Sequence, residues 1–206
     1  MYILIMPGEI YKKLRKVTSY LEAKNAVGGA IPVEGLTLEM LKSHGLKTSH
    51  RFLDVGCGCF RIGESIIDYL DKNKYYGIDG RGDYIDAGLH HLDEVKLLKK
   101  EPETLVSWEF NFEDFEVDKF DYMLAQSVIT HVPEEEVVKL FRKVEQHLDK
   151  KGKAFFSFLE GQRTDKEAYF WSRDDLKKFL FNTNLIFNYV GSWNHPKGLN
   201  LFYLSK

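Results

Sequence analysis

Hydrophobic positions along the chain switch period several times, and each switch predicts an element. Ile10, Leu14, Val17 and Leu21 fall at i, i+4, i+7 and i+11, with Lys12, Lys13, Arg15 and Lys16 between them. That spacing predicts a helix whose basic residues form a solvated face. Gly28-Gly29 breaks the pattern, and "VEGLTLEMLKSHGL" predicts a second short helix ending near Gly45. From residue 51 the chain alternates. "RFLDV" is a short apolar run ended by glycines, as in a buried parallel strand. Ile62, Ile66 and Leu70 then step by four along a helix. "KYYGID" is a second strand, followed by a helix carrying Ile85, Leu89, Leu92 and Val95 on one face. "TLVSWEF" and "FDYMLAQ" are the third and fourth strands.

Pro133 opens the next helix, where the acids of "PEEE" suit the positive helix end. Val137, Phe141, Val144 and Leu148 point inward from it. "KAFFSFLE" is a fifth strand, and Ser172 with Asp175 forms a capping-box signature for a helix bearing Leu176, Phe179 and Leu180. "NLIFNYV" and "LNLFYLS" close the chain around a turn containing Pro196, Lys197 and Gly198. Strands alternating with helices predict an α/β fold: a doubly wound, Rossmann-like sheet of seven strands with helices on both faces. Its last two strands have no helix between them, so they pair as an antiparallel hairpin. Residues 1–50 form a helical extension on the lid or substrate side, and residues 51–206 the ligand-binding domain.

Composition narrows the partners. The 206 residues carry 29 Lys and Arg against 31 Asp and Glu, a formal charge of −2. Nucleic acid is therefore not expected, since tight phosphate binding needs surplus positive charge. A chain of this length buries roughly 70% of its unfolded surface, so neither a disulfide nor a structural metal is required. Cys57 and Cys59 are separated by one residue, too close for an unstrained bridge, and read as thiols in a reducing cytoplasm. The apolar opening "MYILIM" ends at Pro7-Gly8 without a basic leader, and no later run approaches membrane length. The expectation is a cytoplasmic protein with no metal centre.

Ligands of open α/β sheets sit at the carboxyl ends of the strands, near the reversal of strand order. "LDVGCGCFRIG" lies there. Gly56-x-Gly58 matches the start of the dinucleotide fingerprint, but position 61 is Arg61 where a third glycine belongs. Asp54 adds a carboxylate beside the turn; it would oppose a diphosphate by about 1 kcal/mol and favour a ligand with a cationic end. Asp79 ends the second strand, 21 residues past Gly58. A carboxylate there accepts both hydroxyls of a ribose, whether of a nicotinamide cofactor or of another adenosine. Together the three features describe adenosine with a cationic amino-acid tail, as in S-adenosylmethionine.

On "LDVGCGCFRIG", "YYGID" and "FDYMLAQSVITHV", residues 51–206 resemble the class I S-adenosylmethionine-dependent methyltransferases, terminal hairpin included. The resemblance implies that S-adenosyl-L-methionine is the cofactor. It implies that Asp54, Gly56, Cys57 and Gly58 line its methionine portion and that Asp79 and Gly80 hold the ribose. Asn111 would meet the adenine amino group and Phe112 the ring, while Gln126 and Ser127 face the methyl-donor pocket.

His131 follows the fourth strand and titrates near neutrality, which makes it the candidate catalytic base. His90-His91 point to different helix faces and make a poor metal pair. Tyr169, Phe170 and Trp171 either cover a substrate or pack in the core, and Trp193 and His195 border the final turn. After the fourth strand stands "AQSV" where amino-methylating DNA enzymes carry Asn/Asp-Pro-Pro-aromatic, and no cysteine follows to attack a pyrimidine. These absences point to a small-molecule acceptor, methylated on oxygen or nitrogen. The alternatives are a noncatalytic cofactor-binding scaffold and a nicotinamide-dependent oxidoreductase.

Overall fold

The computed structural model describes residues 16–28, 33–161 and 168–206. Ile10 and Leu14 of the first expected helix lie outside the described residues. Its described part starts later than the periodicity suggests: Lys16–Thr18 are non-helical, Ser19 caps, and α1 runs Tyr20–Ala26. The reason is local. Ser19 Oγ accepts from the Glu22 N–H at 3.3 Å, and Glu22 in turn accepts from the Thr18 N–H at 2.8 Å. Those two bonds satisfy helix-start donors at Ser19.

The second expected helix is α2 (Glu34–Ser43), and the alternating region follows as read: β1 (Phe52–Val55), α3 (Gly63–Tyr69), β2 (Tyr75–Asp79), α4 (Gly82–Glu94), β3 (Glu103–Val106) and β4 (Phe120–Ala125). Then come α5 (Glu134–His147), β5 (Leu148–Glu160), β6 (Phe170–Trp171), α6 (Arg173–Phe179), β7 (Ile186–Ser192) and β8 (Asn200–Ser205). Val95 falls just past α4 and is exposed, so the buried face of that helix ends at Leu92. The third strand stops at Val106, which leaves Ser107–Phe110 as loop.

The sheet order is β3-β2-β1-β4-β5-β8-β7, with β1 to β5 mutually parallel and the β7–β8 hairpin antiparallel. Order reverses between β1 and β4, which opens the crevice there. The two-residue β6 adds a strand to the seven expected, pairing with the end of β5.

Strand residues alternate between two cores, as a pleated sheet covered on both faces requires. Leu53, Met123, Ala154 and Phe156 face α5 and α6, against Val137, Phe141, Val144, Leu176 and Phe179. Phe52, Leu124 and Phe155 face the other helices, against Leu41, Ile66, Ile85 and Leu92. Each fully buried side chain of this kind contributes roughly 1.5–3 kcal/mol over its exposed state. Tyr169 and Trp171 belong to the first core; the Trp171 indole N–H donates to the Ile129 carbonyl at 2.7 Å. Two of the three aromatics before α6, Tyr169 and Trp171, therefore pack in the core, while Phe170 is half-buried. Among the described residues no helix is long and apolar enough to cross a membrane.

Candidate active site

The glycine turn after β1 is closed on itself. The N–H groups of Gly56 and Cys57 both donate to the Ile78 carbonyl, at 2.8 and 3.2 Å, and the N–H of Gly58 donates to Asp79 Oδ2 at 2.9 Å. Gly56 has φ +74°, and a Cβ there would sit 2.6 Å from Cγ2 of Val128 on the segment after β4. Only glycine lets the two sides of the switch point come this close.

Asp79, at the end of β2, is half-buried and fixed at both oxygens. Oδ2 takes the Gly58 N–H, and Oδ1 takes the Arg81 N–H at 2.8 Å. Its pKa is raised, chiefly by burial, against the lowering effect of those two bonds. A carboxylate has about four acceptor positions, so each oxygen keeps one for a ligand hydroxyl. Arg81 itself turns to Asp83 in a bidentate pair, Nε to Oδ1 at 2.7 Å and Nη2 to Oδ2 at 2.6 Å. That pairing pulls the Asp83 pKa down to about 2, and the same carboxylate takes the Val17 N–H at 2.8 Å, docking the segment before α1.

Asp54 is 4% exposed, and its Oδ2 accepts from the Tyr75 hydroxyl at 2.7 Å. Burial pushes its pKa up to about 7; the tyrosine opposes the shift and Asp79 adds to it. The carboxyl is therefore about half ionised at neutral pH, not the standing negative charge that sequence alone suggests. Cys57 is buried, and burial holds its thiol well above the usual range. Cys59 packs against Ala23, Tyr84 and Ala87 beneath α1.

Past β3 the sequence reading needs amending. Phe112 is wholly buried, its ring edge-on to His147 of α5, so the side chain is turned into the core and offers no face to the crevice. Asn111 Oδ1 accepts from the Ser107 hydroxyl at 2.8 Å. The aromatic that does stand at the crevice is Trp108, whose indole lies directly against Gly80, over the Cα where a side chain would otherwise project. Sequence reasoning placed Trp108 inside the strand. The signal for it was available: Gly80 is a residue without a side chain, directly after Asp79.

After β4, Ser127 takes φ +60°, its N–H donating to the buried Ser157 Oγ at 2.7 Å. Gln126 Oε1 lies 3.0 Å from Oγ1 of Thr37 on α2, a buried residue whose hydroxyl also reaches the Val33 carbonyl. His131 ends the same segment; burial first, then Lys197, holds its pKa below the usual histidine value. That shift favours the neutral imidazole, the form able to accept a proton. Asp54, Gly56, Cys57, Gly58, Asp79 and Gly80 are thus brought together on one side of the switch point, and Gln126, Ser127 and His131 on the other. His91 is engaged elsewhere, stacked on Tyr20 at 3.7 Å with Nε2 2.9 Å from Glu64 Oε2.

Residues 53–154 match the family model described as a methyltransferase domain. None of the curated proteins compared is similar enough in sequence to count as a match. Among solved structures, magnesium protoporphyrin IX methyltransferase from Synechocystis PCC 6803 with bound SAM superposes with TM-score 0.64 at 15% identity, covering 96% of this chain and 88% of that one. A TehB-like SAM-dependent methyltransferase from Corynebacterium glutamicum gives TM-score 0.66 at 17% identity, covering 97% of both chains. A S-adenosylmethionine-dependent methyltransferase from Clostridium acetobutylicum gives 0.63 at 14%, covering 96% of both. At such identities the likeness is one of fold; with the family match across the sheet's first five strands, the chain belongs to the class I S-adenosylmethionine-dependent methyltransferases.

Proposed function

We propose that the protein transfers the methyl group of S-adenosylmethionine to oxygen or nitrogen of a small-molecule acceptor. One observation carries the choice of cofactor. The N–H groups of Gly56, Cys57 and Gly58 are all spent on Ile78 and Asp79. A dinucleotide needs such donors for its pyrophosphate, whereas an adenosine with no phosphates does not. The cradle fits the smaller ligand: Asp79 keeps acceptor capacity for ribose hydroxyls, and Asp54 becomes fully ionised when an ammonium approaches.

Asp54, Gly56, Cys57 and Gly58 would hold the methionine portion and Asp79 with Gly80 the ribose. Trp108 would stack on the adenine, with Asn111 near its amino group; Phe112 supports that loop from the core. The cofactor supplies an electrophilic methyl group on a sulfonium sulfur, which leaves as a neutral thioether. Positioning then does most of the work. Gln126 and Ser127 would face the donor, and His131 would take the proton that an O–H or N–H acceptor gives up. The extension formed by residues 1–50 would border the acceptor side, since Thr37 already touches Gln126.

Isothermal titration with S-adenosylhomocysteine and with NADH tests the cofactor assignment. Binding of the former at one site, with none of the latter, is the expected result; the reverse would refute it. Transfer of radiolabelled methyl from the cofactor to a panel of metabolites, lost in His131→Ala, tests the reaction. Tight cofactor binding with no transfer to any acceptor would favour the scaffold alternative.

A further inference from the structure

The turn between β7 and β8 carries Trp193, His195 and Lys197, none of which the cofactor site uses. Lys197 Nζ reaches within 3.7 Å of where a Cβ on Gly28 would stand. Arg61, from the loop after β1, reaches the same residue: Nη1 donates to the Gly28 carbonyl at 3.0 Å. The neighbouring Val27 lies 3.5 Å from the Cβ position of Gly58, so this meeting point sits over the cofactor turn. His195 is buried there, its Nδ1 accepting the Lys197 N–H at 3.2 Å, and Trp193 packs on it with ring centres 5.2 Å apart. The Trp193 Nε1–H is buried and has no hydrogen-bond partner among the described residues. Burial and Lys197 lower the pKa of both His131 and His195, and Arg61 adds to the effect on His195. Lys197 itself forms no ion pair among the described residues.

We propose that the acceptor carries an oxyanion group, a carboxylate or a phosphate, and that Lys197, next to Arg61 and His131, is the specificity-determining residue that pairs with it. This rests on the methyltransferase reading of the crevice. Lys197 brings to this glycine a positive charge that no ion pair among the described residues matches, and an anion beside it is attracted directly. Charge-assisted hydrogen bonds to an oxyanion are stronger than neutral ones, and a buried N–H left without a partner is costly until a ligand supplies one. Anchoring the anion here would leave the acceptor's nucleophilic atom facing Gln126, Ser127 and His131.

The test uses the full chain saturated with S-adenosylhomocysteine, titrated with inorganic phosphate and, separately, with benzoate. Calorimetry gives affinity, and the indole N–H resonance of Trp193 reports the place of binding. Saturable binding of one anion that shifts this resonance is expected, and whichever binds identifies the group as phosphate or carboxylate. Lys197→Ala should weaken it about tenfold, Lys197→Arg should restore it, and neither should alter affinity for S-adenosylhomocysteine. Lys197 is exposed, so both variants should fold. Bound S-adenosylhomocysteine with neither anion binding, or with Lys197→Ala binding as the wild type does, overturns this proposal alone. Failure of the wild type to bind S-adenosylhomocysteine overturns the methyltransferase reading beneath it.

Discussion

The Tyr75 hydroxyl donates to Asp54 Oδ2 at 2.7 Å, both groups lying in the core below the glycine turn. The pair couples ligand charge to proton binding, because burial has moved the Asp54 pKa from 3.8 up to about 7. A raised acid favours the neutral form in the folded state. Its contribution to stability is present below the unfolded value and is lost as pH rises through about 7.

The ligand-free protein should therefore lose stability as pH rises from about 4 to about 7 and level off above that, and Asp54→Asn should flatten that loss. Thermal unfolding across the range measures both. Binding of S-adenosylhomocysteine has the opposite slope, since its ammonium lowers the Asp54 pKa and expels a proton. Calorimetry in buffers of different ionisation enthalpy should detect proton release near neutrality. Equal heats in all buffers would show that the ammonium does not meet Asp54.

Trp108 against Gly80 predicts a stacking contact with the adenine. Trp108→Ala should weaken S-adenosylhomocysteine about tenfold, and binding to the wild type should quench indole fluorescence. Trp108→Phe should recover most of the affinity. Unchanged affinity in the alanine variant would place the adenine elsewhere.

Gly88 reverses an ordinary rule. In an exposed helix interior, glycine to alanine stabilises by about 1 kcal/mol. Here a Cβ would lie 2.7 Å from the Cys59 backbone and 2.5 Å from the Phe60 ring. Gly88→Ala should instead destabilise by about 1–3 kcal/mol, because α4 would have to move away from the glycine turn. Urea denaturation decides the sign, and cofactor affinity should fall with it.

Thr37→Val removes the hydroxyl between α2 and Gln126 while keeping the side chain's shape. Losing this half-buried hydrogen bond should cost about 1 kcal/mol. Limited proteolysis should cut the first 50 residues faster in this variant, and S-adenosylhomocysteine should slow the cut in the wild type. Identical cleavage rates would detach the N-terminal helices from the site.

Read from residues alone, the alternation of β-rich runs with four-residue apolar steps determined the doubly wound sheet and its closing hairpin. Burial on both faces leaves such runs little freedom to be anything else. The glycine turn and Asp79 were legible for the same reason: backbone geometry and spacing along one strand-turn-helix unit are local properties. What needed the tertiary structure were relationships between segments distant in sequence. The direction of the Phe112 ring was decided by His147 on α5, and the place of Trp108 by Gly80 across two strands. The charge of Asp54 was likewise set by Tyr75 and by burial. Periodicity reports which face of an element is apolar, but a pKa, a stacking surface or a shared anion site depends on the dielectric and the neighbours that folding supplies. Lys197 shows this most plainly: in sequence it is a turn lysine, and only the packing of the hairpin over Gly28 brings it beside Arg61.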